Sequence, residues 1–376
     1  MCGICGIFNV GTREPVAGSL LKDMADTLVH RGPDDEGFFF DGPVGLAHRR
    51  LSIIDVEGGH QPLCNEDQSI WVAFNGEIYN FQELREFLEK KGHVFKTRSD
   101  TEVIVHLYEE QGEACFRSLR GMFAVAIWDR PKQSVILARD RVGKKPLFYS
   151  FDGDQLAFGS EIKALLAIPR IKREIDLEAL SDYFSLLYVP APKSIFRSIR
   201  KVRAGHYVVV SPKGLRESEY WDIDFSQPEE QSEARWCDQI VQVLREAVQL
   251  RLISEVPLGA FLSGGIDSSS VVALMSQITG GGVVTASMGF REKAFDEISS
   301  QNLKASFQVE TNNDVTQGTE VTFLNGQVGI LEYDCSNIKN FIEGDYIEGT
   351  INLNHISSRS PTPLSSSGNL RLQIMG

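Results

Sequence analysis

The sequence has few cysteines and few basic side chains, and it contains no long apolar run. Six cysteines in 376 residues are too sparse for a disulfide framework. Lysine and arginine number 38 against 51 acidic residues, and the net charge of −13 argues against nucleic acid or an anionic membrane as a partner. No segment is apolar over the length that a bilayer requires. The first residues also lack a basic-then-apolar targeting signal, so we expect a cytoplasmic protein.

The chain opens with Met1-Cys2-Gly3-Ile4, so trimming of the initiator methionine would make Cys2 the first residue. That residue would then carry a thiol with a pKa near ~8.5 and a free α-amine with a pKa near ~8. The amine can act as base for its own side chain, and a small fraction of thiolate already makes cysteine a strong nucleophile. A small buried cysteine at the start of a strand is the alternative.

The other cysteines suggest no metal site and no further nucleophile. Cys5 follows Cys2 at C-x-x-C spacing, but no second pair with zinc-site spacing follows. We therefore expect Cys5, Cys64, Cys115 and Cys237 to be packed thiols.

Three further positions carry the chemistry that acyl transfer from an amino acid requires. Asn75-Gly76 offers a side-chain amide and an unscreened backbone N–H for an oxyanion, although a tight hairpin turn is the alternative. Arg50 offers a planar fork for a carboxylate, or else forms a surface ion pair. Asp100 could hold a substrate ammonium, but on the residues alone a helix N-cap is the better interpretation.

Four segments follow the N-terminus in a characteristic order. They are His30-Arg31-Gly32-Pro33-Asp34-Asp35, residues 47–55, Phe74-Asn75-Gly76-Glu77-Ile78-Tyr79-Asn80 and Arg98-Ser99-Asp100-Thr101-Glu102. Together with the N-terminal Cys-Gly-Ile, they resemble the N-terminal-nucleophile, class II glutamine amidotransferases, and specifically the glutamine-hydrolysing asparagine synthetases.

This resemblance implies an α+β, four-layer αββα glutaminase domain over residues 2–210. It also implies that Cys2, Asn75 and Gly76 are catalytic. The glutamine pocket that it implies comprises Arg50, Leu51, Ser52, Ile53, Ile54, Asn75, Gly76, Glu77 and Asp100.

A second chemical signal lies at residues 256–269. An apolar strand ends in Ser263-Gly264-Gly265 and leads into a helix that begins with small residues. Unpaired N–H groups at such a junction bind anions, and the missing Gly-Lys-Ser/Thr excludes a Walker loop. A Gly-Ser connector inside a parallel sheet is the alternative. The Ser-Gly-Gly-x-Asp-Ser pattern resembles the pyrophosphate loop of ATP pyrophosphatases, which cleave ATP while adenylating a carboxylate.

The resemblance implies a partial α/β ATP-pyrophosphatase domain over residues 234–299, with ATP and Mg²⁺ as cofactors. The implied ATP contacts are Leu262, Ser263, Gly264, Gly265, Asp267, Ser268, Ser269 and Met288. Asp267 is the implied magnesium ligand.

Apolar periodicity and turn residues predict the individual elements. Strands are expected at 38–40, 44–47, 70–74, 122–128, 134–138 and 146–149. Helices are expected at 81–91, at 101–110 and at 234–252, the last packed beside the nucleotide-binding sheet. We interpret the charges of two further family-like segments as structural ion pairs. They are Arg139, Asp140, Arg141, Lys144, Lys145 and Glu161.

The resemblance ends near Ser299, and residues 300–376 form a divergent tail of unknown fold. Alternating apolar residues at 320–330 predict strands, whereas residues 357–368 have a disordered composition. A short β-rich appendage and a chain rearranged or frameshifted near Ser300 are both compatible with this tail. In either case the region that supplies the aspartate pocket in the family is missing. We therefore expect glutamine hydrolysis to survive better than asparagine synthesis.

In the family, glutamine is hydrolysed at the N-terminal cysteine, and ATP converts aspartate to β-aspartyl-AMP, which ammonia then aminates. The resemblance thus implies glutamine, ATP and aspartate as small-molecule substrates, with a homodimer as a further expectation. Two alternatives stay open. One is an asparagine-synthetase-like amidotransferase acting on another carboxylate, for example in surface-polysaccharide biosynthesis. The other is a non-catalytic remnant that binds glutamine, against which the intact Cys2, Arg50, Asn75, Gly76 and Asp100 argue.

Overall fold

The computed structural model describes residues 1–226, 230–263 and 265–289, together with the backbone of five later strands at 308–311, 314–317, 328–334, 347–352 and 367–372. The chain divides into two compact units, Met1–Pro228 and Glu229–Gly376. Within these described ranges, no helix has both the length and the apolar character needed to cross a membrane.

Two six-stranded antiparallel sheets form the first unit. The first sheet consists of β1 (Gly3–Asn9), β2 (Asp35–Asp41), β3 (Val44–Arg50), β8 (Phe148–Phe151), β9 (Gln155–Gly159) and β10 (Arg200–Lys201). The second sheet consists of β4 (Leu63–Cys64), β5 (Ile70–Ile78), β6 (Gly121–Asp129), β7 (Ser134–Arg139), β11 (His206–Ser211) and β12 (Gly214–Glu219). The strand orders are β10-β8-β9-β1-β3-β2 and β12-β11-β7-β6-β5-β4, so β1 and β5 both lie inside their sheets.

Helices accompany each sheet. They are α1 (Gly18–Asp26), α2 (Phe81–Lys90), α3 (Glu102–Gln111), α4 (Cys115–Ser118), α5 (Ile162–Leu166) and α6 (Leu177–Leu186). Helices α1 and α5 pack on the first sheet, and α3 packs against β4 and β5 of the second. Single turns of 3-10 helix occur at Val29–Arg31 and Gly112–Ala114.

Alternation along β1 separates two apolar cores. Ile4 and Phe8 lie in the core between the sheets, where Phe8 meets Trp128 of β6 edge to face. Cys5 and Ile7 point the other way and pack against α1 and α5. Successive side chains of a strand face opposite sides of its sheet, so a single strand can serve both cores. The predicted four-layer αββα fold is therefore confirmed.

The predicted strands and helices of the first unit are confirmed, except that the strand predicted at 146–149 lies at Phe148–Phe151 and that β5 is longer than predicted. The sequence placed the end of this strand at Phe74 and allowed a hairpin turn at Asn75-Gly76. Instead, β5 continues to Ile78, and Asn75 and Gly76 pair with Ala124 and Phe123 of β6. The hairpin alternative is wrong because the neighbouring strand extends far enough to pair with both residues.

The second unit begins with α7 (Glu233–Leu250), β13 (Gly259–Phe261), α8 (Ile266–Thr279) and β14 (Val283–Gly289). Strand β14 pairs in parallel with β13 and with β17 (Val328–Asp334). The remaining described strands form a separate sheet of order β16-β15-β18-β19. They are β15 (Gln308–Thr311), β16 (Asp314–Gln317), β18 (Ile347–Asn352) and β19 (Ser367–Leu372). The described part of the tail consists of strands. Of the strands predicted at 320–330, only residues 328–330 are described, and they lie in β17. Ser367 and Gly368 belong to β19, and the rest of the segment predicted to be disordered lies outside the described residues.

The predicted helix at 234–252 is confirmed as α7, but its apolar stripe is only partly buried. Val248 and Leu244 pack against α8, whereas Ile240 and Val243 are 61% and 65% exposed.

The four cysteines that were expected to be packed thiols differ in burial. Cys5 and Cys115 are buried and Cys64 is half-buried. Cys237 is exposed on α7, so the prediction of a packed thiol is wrong there because only the C-terminal part of α7 reaches α8.

Candidate active site

Cys2 lies immediately before β1, at the end of the strand that is shared by both cores. The register of β1 and β3 pairs Gly3 with Arg49, which brings Cys2 beside the chain that leaves β3. The Leu51 N–H donates to the Cys2 sulfur at 3.4 Å, and the thiol lies 3.6 Å from the Leu51 carbonyl. Arg31 Nε donates to the Cys2 carbonyl at 3.0 Å. Backbone and side chain of Cys2 are therefore both fixed.

Burial and the groups around Cys2 shift the pKa of its thiol in opposite directions. Burial raises the pKa of the thiol above its ordinary value, while the positive chain terminus, the Leu51 N–H, Lys145 and Arg50 act to lower it. Because the net shift is upward, the resting side chain is a thiol, and a base would be needed to form the thiolate. The same cationic and N–H groups stabilise the thiolate once it forms.

Asn75 lies on the inner face of β5, the face that looks toward the first sheet. Ala73 belongs to the core between the sheets, and alternation places Asn75 on the same side. Ile4 belongs to this core as well, so Cys2 and Asn75 come from opposite sheets to one inter-sheet space, where β1 and β5 are in contact. Asn75 is 1% exposed, and its Nδ2 has no hydrogen-bond partner among the described residues.

A buried N–H donor without a partner is unfavourable by ~1–3 kcal/mol, which makes it unusual unless a ligand satisfies it. The neighbouring Gly76 is required for a separate reason: a Cβ there would lie 2.1 Å from the Met122 carbonyl oxygen and 2.8 Å from the Phe123 Cα. Only glycine can therefore follow Asn75 in this pair of strands.

Arg50 ends β3 and is buried, at 6% exposure. Its guanidinium donates to three carbonyls of the following loop: Val56 at 3.0 Å, Ile54 at 3.1 Å and Asp55 at 2.5 Å. The alternative of a surface ion pair is therefore wrong. The side chain shapes the loop after β3, and the guanidinium lies close enough to Cys2 to act on its pKa.

The loop that Arg50 organises carries four more of the predicted pocket residues. Leu51 and Ser52 are buried, and Ile53 and Ile54 are half-buried. The Ser52 N–H donates to the Asp34 carboxylate at 2.9 Å, which ties this loop to the His-Arg-Gly-Pro-Asp-Asp segment. This contact explains why the two motifs occur together.

Asp100 does not cap a helix. Helix α3 begins at Glu102 with Thr101 as N-cap residue, and Asp100 Oδ2 instead accepts from the Ile78 N–H at 2.8 Å. The N-cap interpretation is therefore wrong, and the carboxylate lies at the end of β5, near Glu77. Burial raises the pKa of Asp100 to about 7; the Ile78 N–H opposes this shift, and the charge of Glu77 adds to it.

Sequence reasoning missed one group of this site, Lys145. It is 4% exposed, and its charge interacts with both Glu77 and Cys2, while burial lowers the pKa of its ammonium. The sequence pattern assigns the charges of the segment that carries Lys145 to structural ion pairs. That interpretation holds for Glu161, which lies 3.0 Å from Arg31.

Arg139 and Asp140 are structural too, but their hydrogen bonds go to the backbone. Arg139 donates to the carbonyls of Lys145, Val202 and Gly143. Asp140 accepts from the N–H groups of Phe123, Lys144 and Lys145. Both side chains hold the turn after β7, which positions Lys145.

The second unit forms the predicted junction of strand, loop and helix. The Leu262 N–H donates to the Ala286 carbonyl at 2.8 Å, so Leu262 extends the pairing of β13 with β14. Ser268 Oγ accepts from the Ser263 N–H at 3.3 Å and lies 3.1 Å from Ser263 Oγ. These contacts join the first turn of α8 to the loop that precedes it.

This junction fits an anionic ligand. The N-cap residue of α8 is Gly265, which has no side chain that could accept hydrogen bonds from the first N–H groups of the helix. Asp267 and Ser269 are exposed in the first turn, where an oxygen of Asp267 is open to a metal ion. Gly264 lies outside the described residues, and Met288 is placed only by its backbone, on β14.

Comparison with known families assigns the chain to a class. Residues 1–221 match the glutamine amidotransferase domain family, which is more than half of the chain. The chain therefore belongs to that family. Residues 239–320 match the asparagine synthase family, beyond the Ser299 boundary that the sequence suggested. The order of the two matches is that of the glutamine-hydrolysing asparagine synthetases, which confirms the resemblance.

Individual relatives agree with this assignment. The chain is 41% identical over 304 residues to asparagine synthetase [glutamine-hydrolyzing] 1 of Bacillus subtilis, covering 79% of this chain and 47% of the relative. It is 37% identical over 321 residues to the putative asparagine synthetase [glutamine-hydrolyzing] 2 of Methanocaldococcus jannaschii, covering 79% and 61%. The chain spans about half the length of the curated relatives it matches.

Among solved structures, the chain is similar to the glutamine phosphoribosylpyrophosphate amidotransferase of B. subtilis. The identity is 20% and the TM-score is 0.45, with 76% of this chain and 65% of that chain covered.

Proposed function

We propose that the first unit hydrolyses glutamine, with Cys2 as the nucleophile. The observation that carries this proposal is the unpartnered Asn75 amide, buried in the inter-sheet space that Cys2 also faces. An oxyanion that forms beside Cys2 would supply the acceptor that this donor lacks. Electrostatic stabilisation of this kind is commonly the largest single contribution to catalysis of acyl transfer.

The sequence of steps follows from the charges. With Met1 removed, the α-amine of Cys2 accepts the thiol proton, and the sulfur attacks the side-chain carbonyl carbon of glutamine. Asn75 Nδ2 and the Gly76 N–H stabilise the oxyanion. The amine then gives its proton to the amide nitrogen, the carbon–nitrogen bond breaks and ammonia leaves. Water attacks the resulting thioester, which releases glutamate and restores the thiol.

The glutamine pocket places opposite charges at the two ends of the amino acid. Arg50, behind the loop that carries Leu51 to Ile54, receives the α-carboxylate. Asp100 and Glu77, at the end of β5, receive the α-ammonium. Lys145 balances the negative charge that these groups bring close to Cys2.

We further propose that the second unit is the start of a synthetase that uses ATP and Mg²⁺. Ser263, Gly264, Gly265, Ser268 and Ser269 would hold the pyrophosphate portion of ATP, and Asp267 would hold the metal ion. Magnesium would neutralise the phosphate charge and so favour departure of pyrophosphate. Aspartate as the acceptor, a homodimer and a cytoplasmic location belong to the same proposal.

Glutamate release from glutamine by the purified chain tests the first half. We expect release without ATP, magnesium or aspartate, because the described glutaminase site lies within one unit. Absence of turnover, together with no labelling of Cys2 by an electrophilic glutamine analogue, would favour the non-catalytic remnant. Pyrophosphate release that depends on aspartate, or on a different carboxylate, would identify the acceptor.

A further inference from the structure

Four potential metal ligands meet on the side of the second sheet that α3 covers. They are Glu66, which follows β4, His93, which follows α2, and His106 and Glu109 on α3. One ligand atom from each of the four residues lies within 4.8 Å of the others. His106 and Glu109 are three residues apart on α3, a spacing that places both side chains on the same face of a helix.

The distances around the cluster are close to those between neighbouring ligands of one metal ion, with His106 near one carboxylate oxygen of Glu66 and His93 near the other. His106 Nδ1 lies 3.3 Å from Glu66 Oε2 and 3.1 Å from Glu109 Oε2. His93 Nδ1 lies 3.2 Å from Glu66 Oε1 and 3.7 Å from Glu109 Oε2. Zinc bonds to histidine nitrogen and carboxylate oxygen at ~2.0–2.2 Å, which separates adjacent ligands of a tetrahedral site by ~3.3–3.6 Å.

The two glutamates are also oriented by hydrogen bonds from neighbouring groups. Asn65 Nδ2 donates to Glu109 Oε1 at 2.7 Å, which leaves Oε2 for the cluster, and the Val94 N–H donates to Glu66 Oε1 at 3.0 Å. Hydrogen bonds of this kind orient the coordinating oxygens of metal-binding carboxylates.

The second nitrogen of each histidine faces a further carboxylate. His106 Nε2 lies 3.7 Å from Glu102 Oε1, and His93 Nε2 lies 3.4 Å from Glu110 Oε1. For His93 this is the arrangement of carboxylate, histidine and metal found around zinc-binding histidines, where it fixes the ring and its tautomer. His106 Nε2 is too far from Glu102 for a hydrogen bond, and it has no hydrogen-bond partner among the described residues.

From this geometry we propose that Glu66, His93, His106 and Glu109 bind one zinc ion. A set of two imidazoles and two carboxylates suits zinc better than magnesium or calcium, which prefer oxygen ligands in larger numbers. The site is separate from Cys2, which faces the space between the sheets. Its ligands bracket residues 94–105, so a bound zinc would fix the turn that carries Asp100.

An ion-pair network without metal is the competing explanation of the same cluster. Burial opposes a positive His106, but Glu102 and Glu109 outweigh it and raise the pKa of His106 to about 9. A proton on this ring could therefore balance the surrounding carboxylates in place of a metal. Binding measurements on the purified chain separate these two explanations.

Zinc binding is measured by calorimetry and by metal analysis after dialysis, on the full chain and on three variants. We expect one zinc per chain for the original protein. His93→Gln and Glu66→Gln should lose stoichiometric binding; both side chains are partly exposed, so these variants should fold. The control is His206→Gln, because His206 is similarly exposed and faces a single carboxylate, Glu219. It should bind zinc as the original chain does.

Cobalt substitution then identifies the ligands. We expect the intense visible absorption of tetrahedral cobalt and no thiolate-to-metal charge-transfer band, since no cysteine is among the four ligands. The melting temperature should rise with zinc in the original chain and in His206→Gln, but not in His93→Gln. Unchanged binding in His93→Gln, a thiolate band, or no stoichiometric zinc at all would each overturn the proposal, and the last would favour the ion-pair network.

Discussion

The backbone N–H of Leu51 donates to the Cys2 sulfur at 3.4 Å, although 49 residues separate the two in the sequence. A donor directed at sulfur favours thiolate over thiol. The contact follows from the pairing of β1 with β3, and it involves no side chain of Leu51. The ionisation of the proposed nucleophile therefore depends on the end of a neighbouring strand as well as on nearby charged groups.

Replacing Cys2 by alanine should abolish glutamine hydrolysis and leave the fold intact. Cys2 is only partly buried at the edge of the core, so its removal opens no large cavity. Glutamate release measured by a coupled assay, with circular dichroism as a check of the fold, tests this. Retained turnover would show that the nucleophile is misassigned.

Cys5→Ala is the matched control for that variant. Cys5 is 1% exposed and points to the opposite face of the sheet, among side chains of α1 and α5. We expect activity to persist and the free energy of unfolding to fall by about 1 kcal/mol, which is typical of a small buried truncation.

Asn75→Leu should separate catalysis from stability. The substitution removes the oxyanion donor at nearly constant volume, so we expect kcat to fall by ~10²–10³ while the KM for glutamine changes little. The free energy of unfolding should stay level or rise, because Asn75 Nδ2 loses no hydrogen bond to any of the described residues. Steady-state kinetics and urea denaturation measure the two effects.

The comparison for Asn75 is Asn65→Leu. Asn65 is equally buried, but its side chain bonds Ser69, Glu109 and the Ile70 N–H. Loss of these satisfied bonds should destabilise the chain by ~1–3 kcal/mol or more. An equal loss of stability in both variants would mean that Asn75 has a partner in the folded protein.

Much of this site could be predicted from the sequence because short contiguous motifs carry it. Cys2, Asn75 and Asp100 each stand in a recognisable segment, and apolar periodicity placed β5 and α3 around them. Local patterns could not show which of two possible structural roles a residue takes. Asn75-Gly76 continues a strand because β6 pairs with it, and Asp100 binds Ile78 rather than capping α3.

Contacts between segments that are far apart in the chain could not be predicted from sequence patterns either. Lys145 comes near Cys2 because Arg139 and Asp140 hold the turn before it, and no pattern around residue 145 encodes that placement. Glu66, His93 and His106 come from three separate elements, so no spacing rule for metal ligands detects them. The helix α7 is expected to pack beside the nucleotide-binding sheet, yet its Ile240 is exposed, because periodicity identifies an apolar face without showing what covers it.

Lys145→Met should move formation of the Cys2 thiolate to higher pH. The substitution keeps most of the buried chain and removes the positive charge that lowers the pKa of the thiol. We expect the pH profile of inactivation by an electrophilic glutamine analogue to shift upward by on the order of one unit. Lys144→Met is the control, because Lys144 is exposed, and it should leave the profile unchanged. A profile that does not move in Lys145→Met would assign Lys145 a structural role alone.

Asp100 should make glutamine binding sensitive to pH near neutrality. Burial raises its pKa to about 7, and only the ionised carboxylate attracts the α-ammonium of the substrate. The KM for glutamine should therefore rise as the pH falls below about 7. In Asp100→Asn, the KM should be higher at neutral pH and should lose this dependence. Asp129→Asn is the control, since Asp129, at the end of β6, is also buried but accepts a hydrogen bond from the Tyr108 hydroxyl of α3.

The ionisation of Asp100 also determines the direction in which the free energy of unfolding changes with pH. The carboxyl of Asp100 titrates near 3.8 when unperturbed and near 7 in the fold. Between these values the folded chain binds more protons than the unfolded chain, so this group lowers the free energy of unfolding as the pH rises through that window. Asp100→Asn removes the buried charge, so it should be more stable than the original chain at about pH 8 and close to it at about pH 4. Urea denaturation at both pH values tests this. A variant less stable at the higher pH would mean that the carboxylate is stabilised in the fold, with its pKa lowered instead of raised.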